Sequence, residues 1–67
     1  MSKLSENIKY YRKDGKLTQK ALSEKLNVSN KTLSHWENYY SQPSIEQLVM
    51  LANIFEISLD ELVGRTM

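Results

Sequence analysis

Residues 18–38, TQKALSEKLNVSNKTLSHWEN, carry two short apolar stripes separated by a break. Leu22 and Leu26 stand four apart and Leu33 and Trp36 three apart, so each pair falls on one side of a helix. Between them, Asn27-Val28-Ser29 reads as a turn. Thr18 and Ser29 are each placed to cap a helix N-terminus, because a short side-chain oxygen accepts from backbone N–H groups that lack an intrahelical partner. The second helix therefore begins at Ser29.

Two short helices with a tight joint are the layout of a helix-turn-helix. On the second helix Asn30, Lys31, Ser34, His35 and Asn38 share one broad face, while Leu33 and Trp36 share the other. The outward face is wholly polar and carries no bulky group, as a helix needs if it is to lie in a major groove and exchange hydrogen bonds with base edges. The plain alternative is an amphipathic surface helix with no reading role. Trp36, on the apolar side, belongs to the core as the anchor of this helix.

Working outward, Leu4, Ile8 and Tyr11 recur at i, i+4, i+7 and predict a first helix over about 4–13, capped by Ser2 or Ser5. Lys13-Asp14-Gly15-Lys16 ends it, with Gly15 expected in the left-handed conformation. After the motif, Tyr39 to Pro43 form a loop, since proline lacks a donor and pushes Gln42 out of the helical region. Ser44 and Gln47 make a capping box for a fourth helix over about 44–55, with Ile45, Leu48, Val49, Ala52 and Phe55 as its core stripe. Ser58 and Glu61 repeat the box for a fifth helix over about 58–63, where Leu59, Leu62 and Val63 are apolar and Gly64 is the stop. No strand pattern or repeat interrupts this series, which predicts one all-α domain over residues 1–67.

Composition bounds the function. The net charge is only +1, but residues 1–38 hold eight Lys or Arg against four acids, a net of +4, and residues 39–67 hold Arg65 against four acids, a net of −3. The basic half contains the two-helix motif. With no cysteine there is neither a disulfide framework nor a thiolate site. The apolar runs fall far short of the roughly 20 residues of a membrane span, and MSKLSENIKYYRK lacks the apolar stretch of a signal peptide, so a soluble cytoplasmic protein is expected. His35 is the one histidine and has no acidic partner at catalytic or metal-binding spacing; the two glycines are far apart and form no phosphate-cradling loop. No catalytic residue, metal, cofactor or small-molecule ligand is expected.

The run Leu17-Thr18-Gln19, Leu22-Ser23, Leu26-Asn27-Val28-Ser29, Leu33-Ser34, Trp36-Glu37, Pro43-Ser44 resembles the Cro/repressor-type helix-turn-helix family, also called the xenobiotic-response-element family, from about Leu4 to Leu62. That resemblance implies a lambda-repressor-like fold of five short helices and a sequence-specific regulator of transcription, a repressor reading an operator half-site in double-stranded DNA. It implies base reading by Asn30, Lys31 and His35, with Thr32 and Ser34 at the margin. Chemistry allows this, since Lys31 can donate to guanine and Asn30 can make a two-bond contact with adenine. Phosphate contacts fall to Gln19 at the start of the first motif helix, to Thr18, and to Asn38, Tyr39 and Ser41 in the loop. Glu37, at the edge of the Leu33/Trp36 stripe, requires a cation, and the resemblance pairs it with Arg12.

In two places the chain departs from the family pattern. Tyr39 stands where glycine is common, which puts the loop path in question, and Ser23 replaces the usual alanine where the motif helices cross. Tyr40 either joins the phosphate loop or covers the core beside Trp36. Met50 and Ile54 lie four apart on the fourth helix, opposite Ile45, Val49 and Ala52. With Leu59, and with Val63 or Met67 at the margin, they suit the two-fold homodimer contact that the resemblance implies. The competing readings are an antitoxin or accessory module that mainly holds a partner protein, and a monomeric piece of a longer chain.

Overall fold

The computed structural model describes residues 3–64. Five helices follow one another, α1 (Leu4–Asp14), α2 (Gln19–Leu26), α3 (Asn30–Glu37), α4 (Ile45–Phe55) and α5 (Leu59–Val63), with no strand among the described residues. α1 is the central element and packs against α3, α4 and α5, while α2 packs against α3 and α4.

Four of the five starts are set by short-range side-chain caps. Thr18, Ser29, Ser44 and Ser58 are extended residues whose hydroxyls accept from the N–H of Ala21, Thr32, Gln47 and Glu61, and the last two are complete capping boxes. α1 differs. Its cap is Lys3, which makes no side-chain cap bond. Ser5 lies inside the helix, buried, so it is not the cap expected of it, and Ser2 lies outside the described residues.

The helix ends depend on left-handed residues. Lys16 (φ 60), Asn27 (φ 58), Tyr39 (φ 69), Glu56 (φ 58) and Gly64 (φ 81) each occupy the region that normally favours glycine. The turn at the end of α1 corrects the expectation for Gly15, which has φ −82; Lys16 makes the left-handed step instead. After that step the Leu17 N–H donates to the Arg12 carbonyl at 3.0 Å, and the same return joins Val28 to Ser23 and Ile57 to Ala52, each at 3.0 Å. Gly64 is required for two reasons. Besides its positive φ, a Cβ there would stand 2.7 Å from the Lys3 Cβ. The Asn7 amide crosses the same contact, donating to the Leu62 carbonyl at 3.1 Å and the Glu61 carbonyl at 3.3 Å, so α1 satisfies the open end of α5.

The core joins Leu4 and Ile8 of α1, Leu22 and Leu26 of α2, Leu33 and Trp36 of α3, Leu48, Leu51 and Ala52 of α4, and Leu62 of α5. Trp36 is buried among them, as an anchor for α3 should be. On α4 the buried face is rotated from the expected one. Leu48, Leu51 and Ala52 point inward with Phe55 packed beside them, while Ile45 and Val49 are 78% and 41% exposed. Ile54, expected on the outside, is half-buried and packs against the core. The physical reason is that eight of the eleven residues in IEQLVMLANIF are apolar, so periodicity alone does not choose the face. Contacts with α1, α2 and α5 choose it.

Candidate nucleic-acid interface

The Asn27 left-handed step and the Ser29 cap set the joint between α2 and α3. Ser23 sits buried at their crossing, and its hydroxyl donates to the Lys20 carbonyl at 2.9 Å, so replacing a methyl by CH2OH leaves no unpaired polar group there. Among the described residues no buried side-chain N or O lacks a hydrogen-bond partner.

A buried ion pair holds α3 against α1. Arg12 Nε donates to Glu37 Oε2 at 2.6 Å and Arg12 Nη2 to Glu37 Oε1 at 3.1 Å, a two-bond fork, while Nη1 donates to the Leu17 carbonyl at 2.9 Å. Arg12 is 8% exposed and Glu37 5%. A third donor reaches the carboxylate: Gln19 Nε2, from the first residue of α2, lies 3.0 Å from Glu37 Oε1. One network therefore ties the last residue of α3 to the first residue of α2 and to α1. Sequence reasoning placed Gln19 at the phosphate backbone and missed this bond, for which sequence spacing offers no signal. An amide carries two N–H groups, so Gln19 keeps one donor besides the one given to Glu37.

The face of α3 that points away from the core divides in two. Asn30 and Lys31, in the first turn, are exposed, whereas Thr32, Ser34 and His35 are half-buried. Thr32 is committed to the cap, its Oγ1 accepting from the Ser29 hydroxyl at 2.9 Å. Thr18, the cap of α2, is exposed. Asn38 turns its side-chain amide back on the helix, donating to the Ser34 carbonyl at 2.8 Å and to the Ser34 hydroxyl at 3.3 Å. That arrangement leaves its Oδ1, an acceptor that a phosphate would repel, as the free end of the side chain.

The loop after α3 keeps a glycine-like path without glycine. Tyr39 takes φ 69 and stays 60% exposed. The nearby Glu6 carboxylate favours the protonated Tyr39 hydroxyl and raises its pKa above the usual 10.0. Tyr40 does not cover the core beside Trp36, one of the two readings open for it, since it is 79% exposed. Its ring instead meets the His35 ring edge-on, with centroids 5.6 Å apart. Ser41 is exposed in the same loop.

Two capped helices crossing at a tight left-handed turn, with the second presenting a polar face, define a helix-turn-helix module. The chain belongs to the helix-turn-helix family, whose model matches residues 8–62. It is 37% identical over 62 residues to the HTH-type transcriptional regulator ImmR of Bacillus subtilis (strain 168), covering 92% of this chain and 49% of that protein. It is also 33% identical over 63 residues to the cryptic phage CTXphi transcriptional repressor RstR of Vibrio cholerae, covering 94% of this chain and 56% of that protein. The crystal structure of a transcriptional regulator from Listeria innocua superimposes with a TM-score of 0.88 at 34% identity, covering 96% of this chain and 60% of that one. The chain spans about half the length of the curated relatives it matches. Among the described residues no helix is long and apolar enough to cross a membrane, and no group of three or more His, Cys, Asp or Glu could hold a metal ion.

Proposed function

We propose that this chain is the sequence-specific double-stranded DNA-binding module of a transcriptional regulator that acts as a repressor, with α3 in the major groove. The observation that carries this reading is the exposed Asn30/Lys31 pair in the first turn of α3, on a helix whose far end is pinned by the buried Arg12–Glu37 pair. Two polar side chains on a rigid helix can be held against base edges without ordering the helix at the moment of binding. Lys31 and Asn30 read bases, and His35 reads from the next turn. Gln19 uses its second amide proton, with the N–H groups at the start of α2, to grip a phosphate. Thr18, Tyr39 and Ser41 flank that backbone contact.

The test is selection of bound duplexes from a randomised pool, followed by affinity measurements at low and physiological salt. Binding should weaken steeply with salt, because each neutralised phosphate releases condensed counterions. Lys31→Ala should cost about 1–3 kcal/mol on the selected site and relax preference at particular positions, whereas Gln19→Ala should weaken all duplexes about equally. Salt-independent affinity, or a Lys31→Ala loss that is uniform across sequences, would reject the assignment.

A two-fold homodimer suits this function, since two modules double the base contacts and set recognition helices about 34 Å apart on a pseudo-palindromic site. Met50 and Leu59, 39% and 44% exposed on α4 and α5, are its apolar contacts, with the half-buried Ile54 and Val63 at the margin and Met67 outside the described residues. Sedimentation equilibrium of the wild type and of Leu59→Asp decides between dimer and monomer. A monomeric wild type, or a variant that stays dimeric, rejects this surface.

A further inference from the structure

The contact between Tyr40 and His35 is built by the way α3 ends. Helix α3 stops at Glu37, Asn38 follows as the cap, and Tyr39 takes the left-handed step at φ 69. That step folds the chain back, so the Tyr40 N–H donates to the His35 carbonyl at 3.0 Å. In such a return the residue after the left-handed one comes to lie over the helix residue whose carbonyl it has reached, which here is His35. The two rings meet with centroids 5.6 Å apart and planes at 63°, an edge-to-face arrangement. With Tyr40 79% exposed, this packing is not a by-product of core burial.

His35 has a need that the contact meets. A helix sets the direction of the Cα–Cβ bond, but the second side-chain torsion of histidine is broad. It is that torsion which decides where the ring N–H points, and a base acceptor is read only by an N–H in the right plane. His35 lies one turn after Lys31, half-buried, with the Tyr40 ring against it.

We propose that Tyr40 is a positioning residue for His35: through its edge-to-face contact it fixes the plane of the imidazole, and so sets base preference at the position that His35 reads. The inference rests on the assignment of α3 as the DNA-reading helix. Tyr39 takes part by supplying the turn, and the contact needs the Tyr40 ring rather than its hydroxyl.

The test combines a DNA measurement with one that needs no DNA. Using the selected duplex and its three alternatives at the position where His35→Ala loses discrimination, affinity is measured for wild type, Tyr40→Phe, Tyr40→Ala and the double variant Tyr40→Ala/His35→Ala. Tyr40→Phe should retain the preference, and Tyr40→Ala should reduce discrimination at that position by about two- to tenfold, the worth of one aromatic pair. In the His35→Ala background the second change should have no further effect on discrimination. A Tyr40→Ala loss that is equal on all four duplexes, or equal in both backgrounds, overturns the proposal in favour of a general backbone contact. In the free protein, NMR should show the His35 ring resonances displaced in Tyr40→Ala and restored in Tyr40→Phe; unchanged resonances overturn it without reference to DNA. If wild type shows no sequence preference while the ring contact is present, the DNA reading of α3 fails, and the proposed role in base preference fails with it.

Discussion

Replacing Arg12 by methionine tests the central joint of the fold. Methionine keeps most of the apolar stem but removes the guanidinium, so Glu37 loses its donors at 2.6 and 3.1 Å and keeps the one from Gln19 at 3.0 Å. The Leu17 carbonyl loses a donor as well. At 5% exposure the carboxylate has little access to replacement water. Breaking a buried pair from one side costs about 3–5 kcal/mol, and the surviving Gln19 bond places this case near the lower end, about 3 kcal/mol. In a domain of this size each kcal/mol moves the melting temperature by about 4–8 °C, so a fall of about 12–24 °C is expected. Thermal denaturation followed by circular dichroism measures it, with Lys9→Met, on an exposed position of the same helix, as the reference. The double variant Arg12→Met/Glu37→Met should recover most of the loss, because two apolar groups leave no charge stranded. If Arg12→Met melts within a few degrees of Lys9→Met, or the double variant is no better than the single one, the buried pair does not hold α3 against α1.

Three further outcomes follow from the helix ends. Tyr39→Gly should raise stability by about 0.5–1 kcal/mol, because glycine accepts φ 69 without the clash a Cβ brings, and chemical denaturation that shows a decrease would refute this. Gly64→Ala should lower stability by about 1–2 kcal/mol through its φ of 81 and the Lys3 Cβ at 2.7 Å, whereas Gly15→Ala, at φ −82 with its nearest neighbour at 3.4 Å, should be neutral or mildly stabilising; equal melting curves for the two would contradict the difference. The Tyr39 hydroxyl should titrate above 10.0, and Glu6→Gln should bring it down, as read by NMR of the tyrosine rings. Because the shift favours the neutral phenol in the folded state, its contribution is complete below the ordinary tyrosine pKa and is lost as pH rises through the raised value.

Much of the fold was legible because it is local. A hydroxyl at Thr18, Ser29, Ser44 or Ser58 reaches an N–H only three residues away, so these four helix starts can be read from residue type and spacing with no knowledge of the partner elements. The burial of Leu22, Leu26, Leu33 and Trp36 is equally local, since α2 and α3 are each apolar along one narrow stripe. The Arg12–Glu37 pair spans 25 positions, and it was family resemblance, not spacing, that brought the two together in the sequence reading.

Tertiary structure decided the rest. α4 is apolar around most of its circumference, and only packing against α1, α2 and α5 turned Leu51 inward and left Ile45 and Val49 in solvent. Lys16, Tyr39 and Glu56 took left-handed conformations that residue type argues against, which happens when the surrounding contacts outweigh a local cost of about 1–2 kcal/mol. Gln19 met Glu37 across 18 positions, and Tyr40 met His35 because Tyr39 had already turned the chain. The sequence by itself determined which residues begin α2, α3, α4 and α5 and which face of α3 is polar, because those depend on neighbours a turn away. What fixes α3 in place, and which side chains bear on its polar face, depends on groups brought together from different elements, and only the folded chain supplies them.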